Sequence, residues 1–243
     1  MDNFPAVSAE WAMSECPEAR DAERSKLLEL AQLRPGIRVL DLQAAGGYLS
    51  DGIYEYLNGD VEIICLEPCK QLNSRLSDNY LLVEDPVEHW ASVPDCSIDL
   101  VIGLAGLHHS NNQQATVDEA YRVLKPQGQI VICDVIEDTG IARWLNEFVN
   151  ENNPEGHEGA FLNEGQLTSL FEKSGFTGCD ETVESVPWVF DSPESSARFF
   201  KGLFGLKCSE HEVFEAMRRY LKLEFSKAQC QVEWYLIYGR TTK

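Results

Sequence analysis

Apolar positions fall into two alternating rhythms through the first half of the chain. Short aliphatic runs at Ile37 to Leu42, Val61 to Leu66, Tyr80 to Val83, Ser97 to Leu104 and Gln129 to Val135 read as buried strands. Between them, residues 49–58, Leu72 to Leu76 and Val117 to Leu124 carry helical spacing. Asn58-Gly59 closes the first of these helices, and Lys125-Pro126-Gln127-Gly128 closes the last. Strand and helix alternating at this spacing predict a parallel sheet with helices on both faces. Right-handed crossovers then gather the strand ends on one edge.

The flanking stretches are looser. Ser8-Ala9-Glu10-Trp11 reads as a helix start, and Pro17-Glu18 opens a second helix running to about Leu33. After the fifth strand the pattern predicts a helix over Ile141 to Val149, a polar loop to Phe161 and a helix over Asn163 to Lys173. A strand follows at Thr182 to Phe190, then helices at Ser192 to Phe204 and Ser209 to Phe225, and a last strand at Val232 to Tyr238. One domain spanning 1–243 is expected: a helical cover at 1–33, a core at 34–190, a helical insert at 192–225 and a closing strand at 230–241. The insert's Phe199, Phe200, Leu203, Val213 and Met217 must bury against something. Two fates are open: a roof over the substrate side of the sheet, or a second copy of the chain in a homodimer.

Composition narrows the function. Hydrophobic residues make up 44% of the chain, enough for a real core. Forty acidic against twenty basic residues give a formal charge of −20, which disfavours nucleic acid and anionic membrane surfaces as partners. No apolar run approaches the roughly 20 residues of a membrane span, and Met1 to Glu15 lacks the basic-then-apolar pattern of a targeting segment. The eight cysteines are scattered without a C-x-x-C pair, so a reduced, cytoplasmic protein without a metal site is expected.

Candidate chemistry sits at the strand ends. Asp41, Glu67 and Asp85 each close a strand, and Ala44, Ala45, Gly46 and Gly47 form a small-residue turn after the first. Small residues let backbone approach a ligand, and the helix start that follows offers unpaired N–H groups. A carboxylate ending the second strand suits the two hydroxyls of a ribose, and an acid past the third could accept from an exocyclic amine. In sequence on consecutive strands, they describe a nucleoside cleft.

At this point the chain resembles the class I S-adenosylmethionine-dependent methyltransferases. The resemblance rests on VLDLQAAGG, the acid in ICLEP, VEDPVEHW, PDCSIDLVIGLAGLHH and EAYRVLKPQGQIVICD, in the family's order, over about residues 37–135. FLNEGQLTSLFEKSGF extends it to about residue 176. It implies an α/β fold with a Rossmann-like, seven-stranded, mostly parallel sheet, S-adenosyl-L-methionine as cofactor and a small-molecule substrate. Cofactor contacts would come from Asp41, Leu42, Gln43, Ala44, Gly46 and Gly47, from Glu67 and Pro68 at the ribose, from Asp85 and Pro86 near adenine, and from Leu104.

Two features depart from the family pattern, the loop and the residue after Asp85. Gln43 and Ala45 stand where the loop is usually glycine, and Gln43 would then need a backbone conformation open to L-residues. Its amide would either hydrogen-bond the methionine carboxylate or crowd the cofactor. Pro86 lacks the N–H that often meets adenine. These departures motivate an alternative, a protein that keeps the fold as a binding or regulatory module without turnover. An oxidoreductase is disfavoured because G-x-G-x-x-G is absent. If the acceptor must lose a proton, His108 is the candidate base, just beyond the fourth strand. Trp11, Tyr48, His109 and His157 are candidates for the substrate pocket.

Overall fold

A computed structural model describes residues 15–226 and 229–243. The five aliphatic runs become β1 (Ile37–Leu42), β2 (Val61–Leu66), β3 (Leu81–Val83), β4 (Ile98–Leu104) and β5 (Leu124–Asp134). All are in parallel register: Ile37 pairs with Val61, Ile64 with Leu81, Val39 with Leu100 and Val101 with Ile130. Two later strands, β6 (Thr177–Ser185) and β10 (Tyr235–Thr242), complete a seven-stranded sheet of order β3-β2-β1-β4-β5-β10-β6. β10 runs antiparallel to β5, with Gly239 opposite Ile132. The fold is therefore the Rossmann-like, mostly parallel sheet that the sequence predicts.

Helices α1 (Asp21–Leu30), α2 (Tyr48–Tyr56), α3 (Lys70–Asn73) and α4 (Gln113–Val123) lie between or before these strands. Adjacent residues Val39 and Leu40, Val101 and Ile102, and Ile130 and Val131 are all fully buried. Neighbours in a strand face opposite sides, so both sheet faces are covered, and each such side chain contributes roughly 1.5–3 kcal/mol. The chain moves outward from β1 through β2 to β3 and then returns to the other side of β1 for β4. That reversal opens a crevice beyond the ends of β1 and β4, the place where open α/β sheets bind ligands.

The chain forms two compact units. The sheet unit comprises residues 24–134, 162–183 and 237–243, and includes α7 (Gln166–Ser174). The other comprises the described residues up to Glu23, with 135–161 and 184–236. It holds a small antiparallel sheet of order β7-β9-β8, built from β7 (Trp188–Phe190), β8 (Leu223–Phe225) and β9 (Cys230–Val232). Its helices are α5 (Gly140–Arg143), a π-helical continuation over Trp144–Val149, α6 (Asn150–Asn152), α8 (Pro193–Leu203) and α9 (Glu210–Tyr220).

This small sheet corrects three expectations. The strand expected over Thr182 to Phe190 is two, because Pro187 has no N–H to continue the ladder. The helix expected to reach Phe225 stops at Tyr220; Leu221 is extended, and Leu223–Phe225 is a strand. The expected last strand breaks at Glu233-Trp234, between β9 and β10. The helix expected over Pro17 to Leu33 is shorter as well, Asp21–Leu30.

Trp234, at the break, stacks on Trp188 with ring centroids 4.2 Å apart. Phe200 packs against Trp188 at 5.2 Å and Trp144 at 5.4 Å, and Phe190 against Phe199 at 5.2 Å. The apolar faces of the insert are thus covered inside their own unit. Among described residues 192–225, Phe225 is the only large apolar side chain left exposed.

Candidate active site

β1 delivers the chain to a turn, residues 43–47, that enters α2. Gln43 (φ 55°), Ala45 (φ 49°) and Gly47 (φ 91°) all take the left-handed conformation. Glycine adopts it without a Cβ penalty, whereas an L-residue there costs roughly 1–2 kcal/mol. The turn therefore keeps the path of a glycine-rich loop although two of its three left-handed positions carry side chains. The expectation that Gln43 takes a conformation open to L-residues is thereby corrected: its backbone stays in the left-handed region that favours glycine.

Glu67, at the end of β2 and 3% exposed, holds that turn in place. Its Oε2 accepts from the Ala45 N–H at 2.8 Å and its Oε1 from the Cys69 N–H at 2.8 Å. Each carboxylate oxygen keeps a second acceptor site for a ligand hydroxyl. Burial raises the Glu67 carboxyl, and the two N–H bonds oppose the shift. Gly47, at the N-cap of α2, has no side chain to cap the helix's opening N–H groups.

Asp41 is buried beneath the turn at 1% exposure. Its Oδ2 accepts from Ser50 Oγ at 2.6 Å, and that hydroxyl also lies 3.3 Å from Cys65 Sγ. Burial pushes the Asp41 carboxyl up to about 7; the Ser50 bond opposes this and the neighbouring Glu67 adds to it. Its described polar contact is a structural one to α2.

At the end of β4 the chain passes Leu104, then Ala105 in the left-handed region (φ 49°), then Gly106. The Gln43 side chain lies across Gly106, and its Oε1 is buried without a hydrogen-bond partner. His108 follows, almost fully buried. Its backbone N–H donates to Asp134 Oδ2 at 2.9 Å, and its Nδ1 lies 2.6 Å from Asp134 Oδ1. A carboxylate at Nδ1 fixes the ring's orientation and tautomer and leaves proton transfer to Nε2. The His109 ring lies 4.0 Å from that of His108.

Other expected residues have local partners. Both Asp85 oxygens are engaged by Ser92, from its N–H at 2.6 Å and its hydroxyl at 3.0 Å. Tyr48 lies under the Arg24 guanidinium, 4.2 Å from the ring centre, and its carbonyl accepts from Arg24 at 3.2 Å. His157 belongs to the other unit, where Asn146 Oδ1 is 2.9 Å from its Nδ1 and Phe161 stacks on its ring. Trp11 lies outside the described residues. Three contributors escaped the sequence reading: Ser50, Gly106 and Asp134. Asp134 was findable, since it ends β5 as Asp41 and Glu67 flank the ends of β1 and β2.

Comparisons with known proteins concern the family and the fold. A family model described as a methyltransferase domain matches residues 18–181. A ubiquinone/menaquinone biosynthesis C-methyltransferase from Hydrogenovibrio crunogenus is 27% identical over 115 residues, 44% of this chain and 45% of that protein. The match thus spans less than half the length of that curated relative. Among solved structures, phosphoethanolamine N-methyltransferase 2 of Haemonchus contortus with S-adenosyl-L-methionine has a TM-score of 0.68 at 15% identity, covering 100% of this chain and 57% of that one. The YcgJ protein of Bacillus subtilis has a TM-score of 0.66 at 15% identity, covering 92% of this chain and 99% of that one. At such identities the likeness concerns the fold.

Proposed function

The chain belongs to the methyltransferase-domain family of class I S-adenosylmethionine-dependent methyltransferases, and we propose that it methylates a small-molecule acceptor. The observation that carries this reading is the Glu67 clamp. A buried acid at the end of β2 holds a left-handed turn open beside an uncapped helix start, and retains acceptor capacity for a diol. Strand order supports an ordered reading of the ligand. With ribose at β2, adenine lies toward β3, and the amino-acid end lies toward the β1–β4 crevice. The orphaned Gln43 Oε1, packed beside Gly106 at the β4 end, lacks a donor that the cofactor's amino-acid end would supply, and this supports the fit of the residues present to the cofactor.

When bound, S-adenosylmethionine supplies a methyl group on an activated sulfonium. The protein's part is then to position the acceptor, exclude water and receive a proton where the acceptor carries one. His108 is the candidate base, and Asp134 is the positioning residue that holds its ring. The acidic surface, at a formal charge of −20, is consistent with a small-molecule acceptor rather than a nucleic acid. The scattered cysteines, without a C-x-x-C pair, support a cytoplasmic location; among the described residues no helix is long and apolar enough to cross a membrane.

The test is release of S-adenosylhomocysteine from S-adenosylmethionine across a panel of small amines, phenols and carbon acids. At least one acceptor class should raise release well above the acceptor-free rate. For acceptors that lose a proton, His108→Ala should lower kcat while cofactor affinity stays within about threefold. Tight cofactor binding with no stimulation by any class would favour the non-catalytic binding protein instead.

A further inference from the structure

Between the turn after β1 and the end of β4, one buried acceptor has no hydrogen-bond partner: Gln43 Oε1. Leaving such an atom unsatisfied is costly, and native proteins rarely keep one without reason. Three features make it a placed group. Gln43 takes the left-handed conformation at φ 55°, which aims its side chain toward the β4 end. Gly106 receives it there: a Cβ built on Gly106 would stand 3.0 Å from both Gln43 Cβ and Oε1. Gly106 itself has φ −124° and ψ −24°, which requires no glycine. The atoms that would crowd a Cβ at 106 are those of Gln43, so the missing side chain at 106 is explained by the side chain at 43.

We infer that Gln43 Oε1 accepts a hydrogen bond from the α-ammonium group of the cofactor's amino-acid end. The inference rests on the cofactor reading above and extends it to a residue particular to this chain. The orphan is an acceptor, so its partner is a donor, which selects the ammonium over the carboxylate. Strand order brings the amino-acid end to the β1–β4 crevice once the ribose is at Glu67. A neutral amide also suits this place better than a third acid, because Asp41 and Glu67 are already buried nearby. Gln43 then serves as a recognition element for ligands bearing the amino group.

The experiment is calorimetric titration of the full chain with S-adenosylhomocysteine and with its deaminated analogue, in which hydrogen replaces the amino group. Three proteins are compared: native, Gln43→Met and Gly106→Ala. Methionine keeps the length and the unbranched stem but carries no carbonyl. Gly106→Ala keeps the glutamine and takes its room. The native protein should bind S-adenosylhomocysteine at least about tenfold more tightly than the analogue. Both variants should weaken S-adenosylhomocysteine by at least about tenfold, leave the analogue within about threefold, and melt cooperatively. Unchanged S-adenosylhomocysteine affinity in Gln43→Met overturns the inference alone, as does a loss shared equally by both ligands. A native protein that binds neither ligand overturns the cofactor reading together with it.

Discussion

The acids at the site do different work, and burial sorts them. Glu67 holds the turn and keeps acceptor capacity toward the crevice, whereas Asp41 is turned inward to Ser50. With its carboxyl pushed up to about 7, folded Asp41 retains a proton that the unfolded chain releases near pH 4. Its contribution to stability is therefore fully present below about pH 4, falls as pH rises through the window from 4 to 7, and is flat above it. Asp41→Asn keeps an acceptor for Ser50 and removes the titration. It should raise the melting temperature at pH 8 and have little effect near pH 4. A variant less stable than native at pH 8 would show that the buried carboxylate is needed in its charged form. At Gln43, the Oε1 orphan carries the companion prediction that Gln43→Gly weakens cofactor binding in calorimetric titration, because glycine offers the ammonium no acceptor.

Among the elements, β1, β2, β4 and β5 were legible because strands buried on both faces write themselves as aliphatic runs. The site followed in part. Asp41 and Glu67 could be read from strand ends alone and Gln43 from the family resemblance, but the His108–Asp134 pair joins residues 26 apart in sequence through the β4–β5 register. Asp85 looked equivalent to Glu67 on paper, yet it is engaged by Ser92 seven residues on. The later elements resisted for a different reason. β7, β8 and β9 span three residues each, too short for a period to show, and Trp188 and Trp234 are aromatic anchors whose partners are far away in sequence. α8 is the element that ties them, with Phe200 against Trp144, Trp188 and Trp234. Phe200→Ala should cost about 3–5 kcal/mol in urea unfolding. A loss below about 1 kcal/mol would mean that this aromatic cluster does not carry the unit.

For the whole molecule, the chain passes between its two compact units at residues 23–24, 134–135, 161–162, 183–184 and 236–237. With five crossings neither unit is a continuous piece of chain, and we regard the protein as one folding domain. Calorimetric unfolding should then show a single transition; two resolved transitions would contradict that. The central claim, however, is that the crevice beyond β1 and β4 binds S-adenosylmethionine through Glu67. Its most direct measurement is parallel calorimetric titration with S-adenosylhomocysteine and NAD, on the native protein and on Glu67→Ala. Truncation removes the ribose acceptor, a loss of roughly 2–3 kcal/mol, and also strands the Ala45 and Cys69 N–H groups, so a lower melting temperature is expected alongside. The account predicts one-to-one binding of S-adenosylhomocysteine, no binding of NAD, and at least tenfold weaker binding in a still-folded Glu67→Ala. Equal affinity in the two proteins, or binding of NAD in place of S-adenosylhomocysteine, would contradict it.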